Sequence, residues 1–149
     1  MSLKVGDKAP DFELQDHKGK KFKLSENIGK KILLAFHPLA WTSVCQKEMK
    51  HLDNIFEKME AKNCLPVAIS VDTVPSKQTM AKEYGIKKIR MLSDFWPHGL
   101  VAKNYEVFRE VEGFSERANI LIDEEGKIKF IKIYNLPELP DFKEILKKL

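Results

Sequence analysis

The chain has 149 residues, 43% apolar and 32% charged, enough for one buried core under a solvated surface. Its net charge of +4 comes from 26 Lys and Arg against 22 acidic residues, with lysines scattered in ones and twos, so no nucleic-acid partner is expected. No apolar run is long enough to span a membrane, MSLKVGDKAPDF lacks the apolar core of a secretory signal, and two cysteines make neither a disulfide framework nor a zinc site. These features predict a cytoplasmic protein with free thiols, no metal and no membrane contact.

Ala9–Gln15 and Lys21–Leu24 read as a hairpin around DHKGK, and Lys31–His37 as a continuous apolar strand. A helix follows from Thr42 to about Lys62, with Val44, Met49, Leu52, Ile55, Phe56 and Met59 on one face. Leu65–Val71 is a second buried strand. Pro75 starts a helix to about Tyr84, because proline suits a first helical turn. Met91–Ser93 is a short strand and Gly99–Tyr105 a short helix. Ala118–Asp123 and Lys127–Tyr134 form a hairpin around EEG, and Pro140 or Asp141 opens a C-terminal helix. The order predicts an α/β fold over residues 1–149 as a single domain, with a central mixed sheet flanked by helices. The right-handed crossover rule makes the two long strands parallel neighbours. With its N-terminal β-hairpin, the arrangement has the order of a thioredoxin-like fold.

Cys45 falls about three residues into its helix, with Thr42 or Ser43 as the N-cap. Unpaired backbone N–H groups there point outward and the helix dipole favours negative charge, so the position suits a thiolate. Thr42 stands one turn ahead, and Pro38 rigidifies the loop between strand and helix. Position alone leaves a second reading open, that of a small buried hydrophobe. Only Arg90, Arg109 and Arg117 are arginines among the 26 cations, which makes each a candidate for work needing a planar fork of donors.

Pro38-Leu-Ala-Trp-Thr42-Ser-Val-Cys45 reads P-x-x-x-T-x-x-C and resembles the peroxidatic motif of peroxiredoxins. VGDKAPDFEL is similar to their opening, AISVD to their next strand, and RANILIDEEGKI to the strand pair with their arginine. LSDFWPHG with NYEVF is most similar to the one-cysteine, alkyl hydroperoxide reductase E-type branch. The resemblance implies a thiol-dependent peroxidase for hydrogen peroxide and organic hydroperoxides. It implies Cys45 as peroxidatic cysteine, Thr42 as hydroxyl partner, Arg117 as active-site arginine and Glu48 as the acid that holds it. It also implies a homodimer, for which Phe95-Trp96-Pro97 is an interface anchor; the alternative is that this cluster plugs its own core. His37 departs from the family's Phe or Tyr.

Attack of a thiolate on an O–O bond leaves a sulfenic acid and needs no cofactor, only fixed donors for the moving charge. Cys64 reads as a packing residue, since a helix separates it from Cys45 by more than ~20 Å, beyond disulfide reach. No cysteine follows it, and Lys50 fills the position where another branch keeps its resolving cysteine. The reductant is therefore an external thiol: a thioredoxin- or glutaredoxin-like protein, or a low-molecular-weight thiol. The competing function is a peroxide sensor or chaperone-like module using the same cysteine. Thiol–disulfide exchange lacks its paired cysteine. A cysteine hydrolase lacks a base, because neither His37 nor His98 has a visible orienting partner. Arg90 and Arg109 read as surface residues, and Asp72 as a turn or cap.

Overall fold

Alternation along KILLAF sends successive side chains to opposite faces, and both faces are buried. In the computed structural model, which describes residues 2–149, this segment is the third strand of a seven-stranded sheet. Met1 lies outside the described residues. Strands β1 (Glu13–Asp16) and β2 (Lys21–Lys23) form the N-terminal hairpin, with Leu14 opposite Phe22. A 3₁₀ turn at Leu24–Asn27 leads to β3 (Lys31–Phe36), α1 (Ser43–Ala61) and β4 (Cys64–Ser70). Then come α2 (Val74–Tyr84), β5 (Arg90–Ser93), α3 (Leu100–Asn104) and a two-stranded ribbon, β6 (Phe108–Arg109) with β7 (Phe114–Ser115). The chain closes with β8 (Arg117–Ile122), β9 (Ile128–Tyr134) and α4 (Phe142–Lys147). The main sheet runs β2-β1-β5-β4-β3-β8-β9, with β3, β4 and β5 parallel and the other pairs antiparallel. This is a thioredoxin-like α/β fold with an N-terminal hairpin.

The even positions of β3 (Ile32, Leu34, Phe36) join Phe22, Val67, Ile69, Val101 and Tyr105 in one core layer. The odd positions, Leu33 and Ala35, meet Met49, Leu52 and Met59 of α1, Met80 of α2 and Phe142 of α4 in the other. Each fully buried side chain of this size contributes about 1.5–3 kcal/mol relative to exposure. Among the described residues, no helix is long and apolar enough to cross a membrane.

Three elements differ from the sequence-based expectation. Of the expected first arm, Ala9–Gln15, only Glu13–Gln15 pairs, in a strand that runs on to Asp16, because Ala9 and Lys8 turn instead toward the Gly126 and Lys127 turn. The β6–β7 ribbon, too short to show a periodicity, carries no sequence signal. Gly99 caps α3 instead of opening it, at φ 68°; a side chain there would also collide with the ring of Phe108, so glycine is required twice over.

Candidate active site

The C-terminal end of β3 feeds the N-terminus of α1, and Phe36 lies in register with Ala118 at the start of β8. His37 and Arg117 therefore sit at the same end of the sheet, beside the loop that leads into α1. Thr42 is the N-cap of α1, with extended backbone at φ −82° and ψ 151°. Its Oγ1 accepts the Cys45 N–H at 3.4 Å and donates to the Leu39 carbonyl at 3.3 Å. An N-cap of this kind contributes about 1 kcal/mol to the helix. Here it also fixes where the thiol stands.

Cys45 is fully buried. Arg117 Nη1 donates to Cys45 Sγ at 3.3 Å and to Glu48 Oε1 at 2.6 Å, while its Nε donates to the Leu136 carbonyl at 2.8 Å. The spacing of Cys45 and Glu48, three residues apart on α1, puts thiol and carboxylate on one helix face, and the arginine from β8 meets both. Glu48 and Arg117 are both buried. Burial pushes the Glu48 carboxyl up to about 7, against the opposing pull of the Arg117 charge. A concavity of about 340 Å³ opens beside Thr42 and Arg117, with apolar walls from Pro38, Leu39, Val44, Phe114, Leu136 and Pro137.

Two residues that sequence reasoning undervalued support this loop. Asp72 Oδ2 accepts the Ala40 N–H at 2.8 Å and the Ser70 hydroxyl at 2.6 Å. It is thus a clamp across 32 residues, not a local turn residue. Ser115 Oγ donates to the His37 carbonyl at 3.1 Å, tying the end of β3 to β7. The imidazole of His37 is buried, and neither ring nitrogen has a hydrogen-bond partner among the described residues. Burial, followed by the charges of Lys77 and Arg117, holds it well below the usual histidine range, so it is neutral. His98, from the other candidate position, bonds the Gly113 carbonyl through Nε2 at 2.7 Å.

Lys77 of α2 is fully buried, and its Nζ has no hydrogen-bond partner among the described residues. Burial pushes its ammonium down from 10.5 to about 8, net of the attraction of Asp72, Cys45 and Asp94. Below pH 8 the fold therefore holds an expensive charge. Between about 8 and 10.5 the folded state has lost the proton and the unfolded state keeps it, so stability rises with pH across that window. The full difference is about 3 kcal/mol. Lys77→Met should accordingly be the more stable form at pH 7, by up to about 3 kcal/mol, with the advantage vanishing near pH 10.5. Guanidinium unfolding of both forms at the two pH values measures this. An advantage that does not change with pH would mean that folding leaves the proton affinity of Lys77 unchanged and that the buried charge carries no penalty.

The other predicted positions separate. Cys64 starts β4, buried, opposite Lys31, and burial pushes its thiol up to about 12. Sixteen helical residues lead from Cys45 to the end of α1, a rise of about 24 Å. Both cysteines are free. Arg90 is no mere surface residue: its Nε donates at 2.9 Å to the buried Asp16, and its guanidinium lies 5.2 Å from the centre of the Phe22 ring. Arg109 does sit at the surface, joined to Glu112 and Glu116 at 2.6 Å each. Phe95 and Trp96 do not plug the core, being 47% and 79% exposed. Among the described residues, no cluster of three or more His, Cys, Asp or Glu side chains is placed to hold a metal ion.

Residues 5–131 match the model of the AhpC/TSA family. The chain is 37% identical over 140 residues to the alkyl hydroperoxide reductase E of Mycobacterium tuberculosis, covering 93% of this chain and 91% of that protein. It is 33% identical to peroxiredoxin-1 of Gallus gallus, covering 89% of this chain and 71% of that one. Among solved structures, AhpC of Enterococcus faecalis superimposes with a TM-score of 0.90 at 25% identity, over 99% of this chain and 90% of that one.

Proposed function

The chain belongs to the AhpC/TSA family and is a thiol-dependent peroxidase of the peroxiredoxin type; on that basis we propose that Cys45 is its peroxidatic nucleophile. The observation that carries the assignment is the Arg117 donor 3.3 Å from Cys45 Sγ, at the first turn of α1. The Cys45 thiolate attacks one oxygen of the peroxide. An S–O bond forms as the O–O bond breaks, the sulfur loses two electrons, and the leaving oxygen takes a proton to depart as water or an alcohol. Cys45 becomes a sulfenic acid, the first rung of cysteine oxidation.

Negative charge passes from sulfur to the leaving oxygen, so fixed donors aimed along that line lower the barrier. Arg117 spans this path, its fork held by Glu48 on one side and the Leu136 carbonyl on the other. Thr42 adds its hydroxyl once it turns from the Leu39 carbonyl to the peroxide, and Pro38 keeps the loop rigid. The apolar walls of the neighbouring concavity support organic hydroperoxides as substrates alongside hydrogen peroxide.

Two external thiols return the enzyme. The first condenses with the sulfenic acid, releasing water and leaving a mixed disulfide, and the second displaces Cys45. The separation of Cys64 supports this one-cysteine cycle. We place the enzyme in the cytoplasm as a homodimer, with exposed Phe95 and Trp96 as the apolar surface that a second copy covers. Peroxide consumption, followed with thioredoxin, glutaredoxin and low-molecular-weight thiols supplied one at a time, tests the reading. Sustained turnover is expected with at least one of them. Consumption that stops at one equivalent with every reductant would favour the peroxide sensor.

A further inference from the structure

The lysines that look evenly spread along the sequence are gathered by the fold. Strand β1 pairs antiparallel with β5, setting Asp16 opposite Leu92. The hairpin turn after β1 thereby lies beside the segment that enters β5. Lys18, Lys20 and Lys21 from the first, and Lys87, Lys88 and Arg90 from the second, line one concavity of about 450 Å³ together with Asp16 and His17. Its lining holds six cations and one carboxylate; with Asp53, which holds the Lys87 and Lys88 amides, and Glu57, which pairs with Lys88, the site is still net +3. It lies at the N-terminal ends of the parallel strands, while Cys45 lies beyond their C-terminal ends.

Both cation-bearing segments are held by carboxylates that are already occupied. Asp16 Oδ1 accepts the N–H groups of Lys18 at 2.8 Å and Lys20 at 3.0 Å, and its Oδ2 takes Arg90 Nε. Asp53 of α1 accepts the N–H groups of Lys87, Lys88 and Ile89. These carboxylates fix the backbone from which the ammonium groups project, and Asp16 spends most of its accepting capacity on it. Among the described residues, no ion pair involves Lys18, Lys20, Lys21 or Lys87. Four like charges around one hollow repel each other unless an anion joins them.

We propose that this basic concavity binds the phosphate chain of a small oligophosphate, free or as part of a nucleotide. Its size is that of a small-molecule site. Among its lining residues none is Phe, Tyr or Trp, and its one aromatic ring, His17, is buried, so the site reads charge before base identity. Lysines suit this task as point charges on a phosphate chain, and the fixed Arg90 adds one planar donor.

Calorimetric titration of the full chain with inorganic tripolyphosphate tests the proposal. One site per chain is expected, competed by adenosine triphosphate and not by adenosine, and weakened as salt rises. Lys20→Glu/Lys87→Glu should lose at least about tenfold in affinity, the scale of one charge-assisted contact. Lys30→Glu/Lys143→Glu, exposed positions outside the site with the same change in charge, should lose less than about twofold. Backbone amide shifts in the unaltered chain should centre on residues 16–21 and 87–90. Absence of saturation, equal losses in both double variants, or shifts centred elsewhere would overturn the site. Duplex DNA that binds and is not displaced by tripolyphosphate would replace it with an extended nucleic-acid surface.

Discussion

Cys45→Ser should abolish peroxide consumption, while Cys64→Ser should leave most of it. A serine hydroxyl at the start of α1 meets the same donors, but neither those donors nor the helix dipole ionises an alcohol near neutral pH, and the attacking species is the anion. Cys64 offers no substitute. Its thiol, pushed up to about 12 by burial, stays protonated at pH 7. It also starts β4, at the opposite end of the parallel strands from the concavity beside Thr42 and Arg117, with no arginine donor on its sulfur among the described residues. After one equivalent of peroxide, intact mass should show one added oxygen, and peptide mapping should place it on Cys45. An intramolecular Cys45–Cys64 disulfide as the main product would require unwinding α1 and would overturn the one-cysteine cycle.

The second large effect belongs to Arg117, where the shape of the group matters beyond its charge. Its Nε and Nη1 are both engaged, with Leu136, Glu48 and Cys45 as partners, in a buried setting that fixes the plane of the fork. A lysine keeps the charge but supplies a point donor on a flexible stem and cannot hold Leu136, Glu48 and the sulfur at once. Loss of one fixed transition-state donor typically costs ~2.7–4 kcal/mol. Arg117→Lys should therefore slow second-order oxidation of Cys45 by at least about tenfold, the lower bound allowing for the retained charge. Arg109→Lys, whose partners are surface glutamates, should leave the rate near that of the parent. Arg90→Lys should do the same to the rate but lower stability, since Asp16 would lose its planar partner. If Arg117→Lys reacts as fast as its parent, the guanidinium does not hold the peroxide.

Local signals located the long elements because each depends on a short stretch of chain. The apolar run KILLAF, the 3.6-residue periodicity after Thr42 and the turn at EEG each carry their own pattern. The cap narrows to Thr42 or Ser43 in the same way, and the structure selects Thr42, whose hydroxyl accepts the Cys45 N–H three residues on. Glu48 was legible through the resemblance to peroxiredoxins, and the helical spacing that puts it on the face of Cys45 agrees with that. What failed was short or long-range: the β6–β7 ribbon has too few residues to show a period, and Asp72 acts on a backbone amide 32 positions away.

The amino-acid sequence by itself thus determined the α/β order, the thiol at a helix start and the family, all of which rest on contiguous residues. Tertiary structure alone decided the rest, because it joins residues that no local pattern relates. It brought Arg117 across 72 positions to Cys45, buried Lys77 and His37 without side-chain partners among the described residues, and paired Arg90 with Asp16 across 74. It also turned an even scatter of lysines into one basic hollow, since the pairing of β1 with β5 places two distant loops side by side. Charge counted along the chain is a sum, whereas a site depends on where those charges meet.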